Sequence, residues 1–268
     1  MIDSPFLIEP GSKVRLDKIK TDQSGKFKDK DDVQDAIAKN LEQLRDLQEV
    51  FYADARFALL VVLQALDGGG KDGAIEHVFS GVNPQGCSVA SFKVPTHLEA
   101  VHDYLWRIHA ACPAKGMLGI FNRSHYEEVL VTRVRKLVPK DVWSKRYEQI
   151  NAFENILAEA GTVILKFYLH ISKEEQTQRM KDRLADKNKN WKFNPGDLED
   201  RQYWDDYMAA YQDALERCST EHAPWFIVPA DRKWFRNWVI SDTILRTLKK
   251  LDLKYPKPAP GLDKIKID

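Results

Sequence analysis

Between residues 33 and 51, apolar side chains recur every three or four positions: Val33, Ile37, Leu41, Leu44, Leu47 and Phe51. At 3.6 residues per turn they form one stripe, so this stretch is predicted to be an amphipathic helix, an N-terminal helical extension. The pattern then changes. Phe57 to Leu63 is apolar without interruption, as in a short strand buried on both faces. Gly68 to Gly70 end it, and helical sequence resumes from Lys71 to about Ser80.

The alternation repeats along the chain. Cys87 to Phe92 is predicted to be a strand. Thr96-His97-Leu98-Glu99 has the form of a capping box and opens a predicted helix with Leu98, Val101, Leu105 and Ile108 on one face. Met117 to Phe121 is the third strand; a long helix from about Pro139 to Ala160 carries Val142, Arg146, Ile150, Phe153 and Leu157 and stops at Gly161. Thr162 to Leu169 is a fourth strand, followed by a second capping box at Ser172-Lys173-Glu174-Glu175. Trp225 to Val228 makes a fifth strand, and a helix runs through Trp234 to Leu251. Strands separated by helices imply an α/β, three-layer sandwich: a five-stranded parallel sheet with helices on both faces. Residues 1–31 are polar and are expected to form a loosely ordered arm on a single domain spanning 1–268.

Composition narrows the function classes. The 268 residues carry a formal net charge of +1 although 30% are charged, so no global field favours a nucleic-acid or membrane partner. Any anion site must be a local cluster. Cys87, Cys112 and Cys218 show no metal-ligand or disulfide spacing and suit a reducing compartment. The first residues lack the basic-then-apolar form of a signal peptide, and the longest apolar run is too short to span a bilayer, so a cytoplasmic location is expected.

The chemistry concentrates after the first strand, at Ala65-Leu66-Asp67-Gly68-Gly69-Gly70-Lys71-Asp72-Gly73. Strand, glycine turn and helix form the context of a phosphate-binding P-loop. Gly68, Gly69 and Gly70 let backbone N–H groups converge on phosphate oxygens, the helix start through Asp72 and Gly73 adds its own, and Lys71 stands where the Walker A lysine reaches phosphate. Two positions depart from GxxxxGK[ST]: Ala65 replaces the first glycine and Asp72 the Ser/Thr. Asp67, a carboxylate among polyanions, is read as a magnesium ligand or as a group orienting an attacking phosphate oxygen. The bland alternative is a glycine-rich turn with a solvated lysine. Met117 to Ser124 occupies the Walker B place but ends in Asn122, a neutral ligand for a hard cation, followed by Arg123, whose planar fork suits a transferring phosphoryl group. Glu127, Glu128 and Arg133 come next.

Taken in order, LQALDGGGKDGAIEHVFSGVNP, SFKVPT, YLWRIHAACPAKG, FNRSHYEEVLVTRV, LHISKEEQ, WKFNPGDLEDRQYWDDY and APWFIVPADRKWFRNW resemble the motif series of the polyphosphate kinase 2 family, from about Val33 to the end. The resemblance implies a P-loop kinase fold with a helical lid, and a magnesium-dependent (or manganese-dependent) transfer between inorganic polyphosphate and adenine, or also guanine, nucleotides. Asn122 in FNRSHYEE is similar to the branch that phosphorylates both AMP and ADP. On this resemblance Asp67, Lys71, Asn122, Arg123 and Glu127 fall on catalytic positions, with Asp67 and Asn122 as metal ligands, and a homo-oligomer, a tetramer in particular, is implied. A lid is expected at about 179–200, where Arg179, Lys181, Arg183, Lys187, Lys189 and Lys192 outnumber the acids, and Arg179 and Arg183 are its candidate nucleotide contacts. Lys93, Arg107, Arg133 and Lys233 are candidates for a polyphosphate track. Two rival readings stand beside this one: an ordinary ATP-dependent nucleotide kinase, and a catalytically silent polyphosphate-binding module.

Overall fold

The structure, a computed structural model, describes residues 3–262, 265 and 267, with the side chain of Lys192 outside that description. Five strands, β1 (Ala58–Gln64), β2 (Cys87–Ser91), β3 (Leu118–Asn122), β4 (Thr162–His170) and β5 (Trp225–Pro229), form one parallel sheet in the order β2-β3-β1-β4-β5. The apolar run that predicted β1 is central and buried along its whole length. Its side chains divide by parity. Leu59, Val61 and Leu63 enter one core, Leu60 and Val62 the other.

The first core is closed by α1 (Lys30–Asp54), α2 (Lys71–Val78) and a terminal helix at Lys233–Lys250, through Leu44, Phe51, Val78, Phe235, Val239 and Ile244. The second is closed by α3 (Arg146–Glu159) and the helix Trp204–Cys218, through Ile150, Phe153, Tyr211 and Leu215. Between these lie α4 (Lys173–Ala185) and α5 (Gly196–Gln202); the later two are α6 (Trp204–Cys218) and α7 (Lys233–Lys250). The expected three-layer α/β sandwich is the one observed. No helix among the described residues is long and apolar enough to cross a membrane.

Three local expectations are corrected. The arm is not loose: Ile8, Val14, Leu16 and Phe27 are buried, Leu7 makes an antiparallel bridge to Phe226, and Ile8 N–H donates to Trp225 O at 2.9 Å. The reason is the free edge of β5, whose unpaired N–H and C=O groups need partners. The predicted helix with Leu98, Val101, Leu105 and Ile108 on one face breaks into His97–Ala100 and Trp106–Ala110. The Asp103 side chain accepts the Leu105 N–H at 2.9 Å, a local turn that competes with the helix, and Leu98 and Val101 stay exposed. The predicted helix from Pro139 divides at Ser144-Lys145 into Lys140–Trp143 and α3, leaving Val142 exposed and Trp143 under the Arg133 guanidinium at 4.5 Å.

Behind β3 and β4 lies a fully buried ionic cluster. Lys166 Nζ on β4 donates to Glu154 Oε2 on α3 at 2.6 Å, to Tyr126 OH at 2.7 Å and to Cys218 O at 2.6 Å. His125 and Tyr126 both meet Glu154 Oε1, so the segment after β3 is pinned to the core. Burial opposes the Glu154 charge, but Lys166 and His125 outweigh it and hold the carboxyl below its ordinary range. Removing one partner strands the other. Lys166→Ala is expected to lose about 3–5 kcal/mol in denaturant unfolding, and the double variant Lys166→Met/Glu154→Gln less than that, because no uncompensated charge is left.

Candidate active site

The parallel sheet sends the chain from β1 toward β2 and from β3 back across toward β4, so the loops after β1 and β3 part at neighbouring strand ends. That crevice is where open α/β sheets bind ligands. Register fixes the meeting: Asn122 sits opposite Leu63, and Arg123 N–H donates to Leu63 O at 3.0 Å. Arg123 holds φ +62°, a left-handed conformation disfavoured for a side chain with Cβ, stabilised here by that bond and by its ion pairs.

The loop between β1 and α2 is tight. Gly69 N–H donates to Leu66 O at 2.9 Å, and a Cβ on Gly69 would strike the Ala65 side chain. Gly70 has φ +94° and caps α2; a Cβ there would strike the Arg236 guanidinium. Lys71 is buried, with Nζ 2.9 Å from Ala65 O and 3.9 Å from Asp67 Oδ1. Burial first, then the Arg123 charge, pushes its pKa down, against the pull of Asp67, Glu127 and Asp72.

Asp67 lies between two cations. Arg123 Nη2 donates to Asp67 Oδ1, and its Nη1 stands 3.5 Å from Glu127 Oε2. Burial raises the Asp67 pKa, yet Lys71 and Arg123 more than reverse this and keep it below the ordinary carboxylate range. Burial likewise works against the Arg123 charge, and Glu127 and Asp67 together raise its pKa. Gln64 Nε2, from the buried end of β1, holds Glu127 Oε1 at 3.2 Å. Asn122 Nδ2 donates to Asp72 Oδ1 at 2.8 Å, which leaves the amide oxygen of Asn122 as its remaining ligand atom. Asp67, Lys71, Asn122, Arg123 and Glu127 are thus brought together, with Gly68, Gly69, Gly70, Asp72 and Gly73 in the loop and first turn beside them.

A cleft opens from this group, with Asp67, Arg123 and Glu127 on one wall and Asp197, Arg201 and Tyr211 on the other. Of this second wall, Asp197 lies in the region expected to be a lid, Arg201 just beyond it on α5, and Tyr211 on α6. Asp197 Oδ2 stands 3.4 Å from Arg183 Nη1, and burial, with the Asp67 charge next, pushes Asp197 up to about 6 despite Arg183. Arg201 donates to Gln176 Oε1 and Thr177 Oγ1, and Gln176 Nε2 to Asp67 O at 2.7 Å, linking the second wall to the phosphate loop.

Other expected site residues lie elsewhere. Arg179, expected beside Arg183 as a nucleotide contact, is spent on structure. Its Nε meets Glu175, Nη1 meets Gly68 O and Gly69 O, and Nη2 meets Ala230 O and Asp231 O, accounting for all five donors of a guanidinium. One helical turn apart in sequence, Arg179 faces the loop's carbonyls and Arg183 the carboxylate of Asp197, which lines the cleft. Arg133 is paired with Asp213 at 2.6 Å and Tyr147 OH at 3.1 Å, and it does not line the cleft. Arg107 lies over Phe92 and donates to Lys93 O, while Lys93 is exposed next to Phe92, whose N–H donates to Asn122 O. Lys233 is exposed at the start of α7. Gln64, Gln176, Asp197, Arg201 and Arg236 were not singled out from sequence; only a polar residue closing an apolar strand, as Gln64 does, could have marked one of them.

The polyphosphate kinase 2 family model matches residues 27–256. The chain belongs to that family. It is 50% identical to an AMP/ADP-polyphosphate phosphotransferase of Meiothermus ruber over 98% of this chain and 99% of that protein. It is 44% identical to an ADP-polyphosphate phosphotransferase of Rhodopseudomonas palustris, covering 96% of this chain and 93% of the relative. The crystal structure of polyphosphate kinase 2 from Arthrobacter aurescens TC1 superposes with a TM-score of 0.92 at 40% identity, over 97% of this chain and 93% of that one. The motif resemblance and the fold therefore agree on this polyphosphate kinase 2 chain.

Asp197 gives the site a pH signature. Its folded pKa of about 6 exceeds the ordinary 3.8, so its ionisation disfavours the folded state: the contribution is most favourable below the unfolded value and is lost as pH rises through about 6. Asp197→Asn is expected to raise thermal stability at pH 8, by at most about 3 kcal/mol, with the gain shrinking between pH 6 and 4. Parallel melting curves of both proteins from pH 4 to 8 check this; a gain constant over that range would contradict it.

Proposed function

We propose that this protein moves the terminal phosphoryl group of inorganic polyphosphate onto AMP and ADP by direct in-line transfer, and runs the reverse reaction as well. The observation that carries the proposal is the convergence of Asp67, Lys71, Arg123 and Glu127 at the mouth of a glycine loop, in a chain alike over nearly its whole length to a phosphotransferase named for AMP, ADP and polyphosphate.

Phosphoryl transfer needs little covalent chemistry from the protein; it needs positioning and charge stabilisation. The loop N–H groups and the start of α2 cradle phosphate oxygens, and Lys71 adds a buried positive charge. Arg123, shared between Asp67 and Glu127, has the fork to follow charge onto the transferring group, while Gln64 keeps Glu127 in place behind it. The second wall, with Arg201 and with Asp197 held by Arg183, excludes water that would compete with the nucleotide for the phosphoryl group.

Magnesium fits this donor set. It takes one or two carboxylates along with substrate phosphates and waters, and Asp67 with the Asn122 amide oxygen meets that requirement, since the Asn122 nitrogen is already turned to Asp72. When bound it would supply positive charge against the phosphate oxygens. Manganese suits the same oxygen ligands. A homo-oligomer, specifically a tetramer, in the cytoplasm, and acceptance of guanine nucleotides beside adenine ones, complete the proposal.

The test omits ATP. AMP or ADP with magnesium and polyphosphate should yield ADP and ATP, and absence of both products would remove polyphosphate as donor in favour of an ATP-dependent kinase. Asp67→Asn and Arg123→Ala should each lower kcat by about 100-fold or more while leaving the circular dichroism spectrum unchanged. Wild-type turnover in both variants would move the catalytic centre elsewhere.

A further inference from the structure

Two arginines reach the phosphate loop from outside the cleft, and they differ in one respect. Arg179 on α4 carries a carboxylate partner, Glu175, at 2.7 Å. Arg236 on α7 is 2% exposed, and among the described residues no carboxylate pairs with it. Its Nε and Nη2 donate to Asn237 Oδ1 at 3.1 and 2.8 Å, and its Nη1 donates to Gly70 O at 3.0 Å. Neither arginine lines the cleft.

The contact with Gly70 is close. A Cβ on this residue would strike Arg236 Nη1 and come within 3.2 Å of Arg179 Nη1, so the guanidinium groups fill the space that any other residue would need. Arg179 takes the carbonyls of Gly68 and Gly69, and Arg236 joins the Ala74 N–H, at 3.0 Å, on that of Gly70. Each glycine carbonyl is thereby fixed on the outer side of the loop. Burial, and then the Arg179 charge, pushes the Arg236 pKa down, as expected for a cation with no acid beside it. A buried charge of this kind is unfavourable unless something compensates it. The missing counter-charge has one obvious source in a polyphosphate kinase: the polyanion on the other side of three glycines.

We propose that Arg236 is a positioning residue that sets affinity for the phosphoryl donor, bracing the Gly70 carbonyl alongside the Ala74 N–H and placing a buried positive charge beneath the loop that polyphosphate compensates. The proposal rests on polyphosphate as the substrate of this loop. It assigns Arg236 a task apart from Arg123 and Arg201, which line the cleft and can meet substrate directly. The proposal ties Arg236 to the phosphoryl donor at the loop, so the KM for the nucleotide should change much less.

Two substitutions separate charge from fold. Arg236→Gln keeps a donor for Gly70 O and removes the charge; Arg236→Lys keeps the charge and loses the fork. In the full chain, three measurements are made with magnesium present: melting temperature alone, its rise with tripolyphosphate and no nucleotide, and KM for polyphosphate and for ADP. Arg236→Gln should raise the KM for polyphosphate about tenfold or more, as expected for a unit charge removed from a partly desolvated site. It should shrink the tripolyphosphate-induced rise and leave the KM for ADP within about twofold of wild type. Arg236→Lys should recover most of the rise. An unchanged polyphosphate KM in Arg236→Gln would overturn the proposal. So would an equal decline for both substrates accompanied by a lower melting temperature without ligand, or a failure of both variants to fold, since either assigns Arg236 to the fold alone. If wild type itself shows neither turnover of polyphosphate nor a tripolyphosphate-induced rise, polyphosphate as substrate is what fails.

Discussion

A peptide unit cannot point its N–H and its C=O the same way, and the glycine loop depends on that constraint. For the N–H groups after Asp67 to face phosphate, the carbonyls must face protein, and buried carbonyls need donors. Gln176 takes Asp67 O, Arg179 takes Gly68 O and Gly69 O, and Arg236 takes Gly70 O. Lys71 closes the series on Ala65 O. Apart from Lys71 on α2, these donors come from α4 and α7, the helices after β4 and β5. In a parallel sheet, helices leaving the strand ends begin at the same edge as the loop after β1, so the first turns of α4 and α7 are within reach of it. The fold's topology and the loop's polarity are one requirement seen at two scales.

Charge at the site follows from the same crowding. Lys71 is buried and Asp67 partly so, and Arg123 bridges Asp67 and Glu127, so the cations and carboxylates balance one another locally in a chain with almost no net charge. Asn122 fits this balance. A third carboxylate at the end of β3 would stand beside Asp72, to which the Asn122 amide now donates, and two carboxylates at hydrogen-bond distance repel where an amide and a carboxylate attract. The neutral residue therefore keeps an oxygen available to a hard cation without adding charge where two polyanions must meet.

Much of the fold was legible because its signals are local. The continuous apolar run of β1 and the three-to-four spacing of α1 each satisfy a periodicity that packing rewards, and the loop and β3 motifs sit directly at strand ends. The failures have a common cause: partners distant in sequence. Nothing between residues 3 and 31 announces that Phe6 and Ile8 will bond Ile227 and Trp225 across the sheet edge. The capping box at Thr96 formed as expected, yet a helix there would have needed something to cover Leu98 and Val101, and no described element does. At the site, Asp67, Lys71 and Arg123 were legible because the motifs name them, whereas Arg179 and Arg183 looked alike. Helical spacing correctly put them on one side of α4, but only the loop's carbonyls decide which one is structural. Arg236 was hidden in the first turn of an amphipathic helix, where an arginine is ordinarily a solvated surface residue.

The second wall of the cleft extends this division of labour. Arg201 donates to Gln176, Gln176 donates to Asp67 O, and Asp67 accepts from Arg123, so a continuous run of hydrogen bonds joins α5 to the end of β3 through the phosphate loop. Asp197, one turn earlier on α5, faces the same carboxylate at a distance where like charges repel, and its raised pKa records that opposition together with its burial. One residue of α5 thus draws the wall in while another resists. Arg183 pairs with that resisting carboxylate at 3.4 Å and offsets part of the repulsion, so Asp197 stays within the wall because a cation beside it answers the anion it faces.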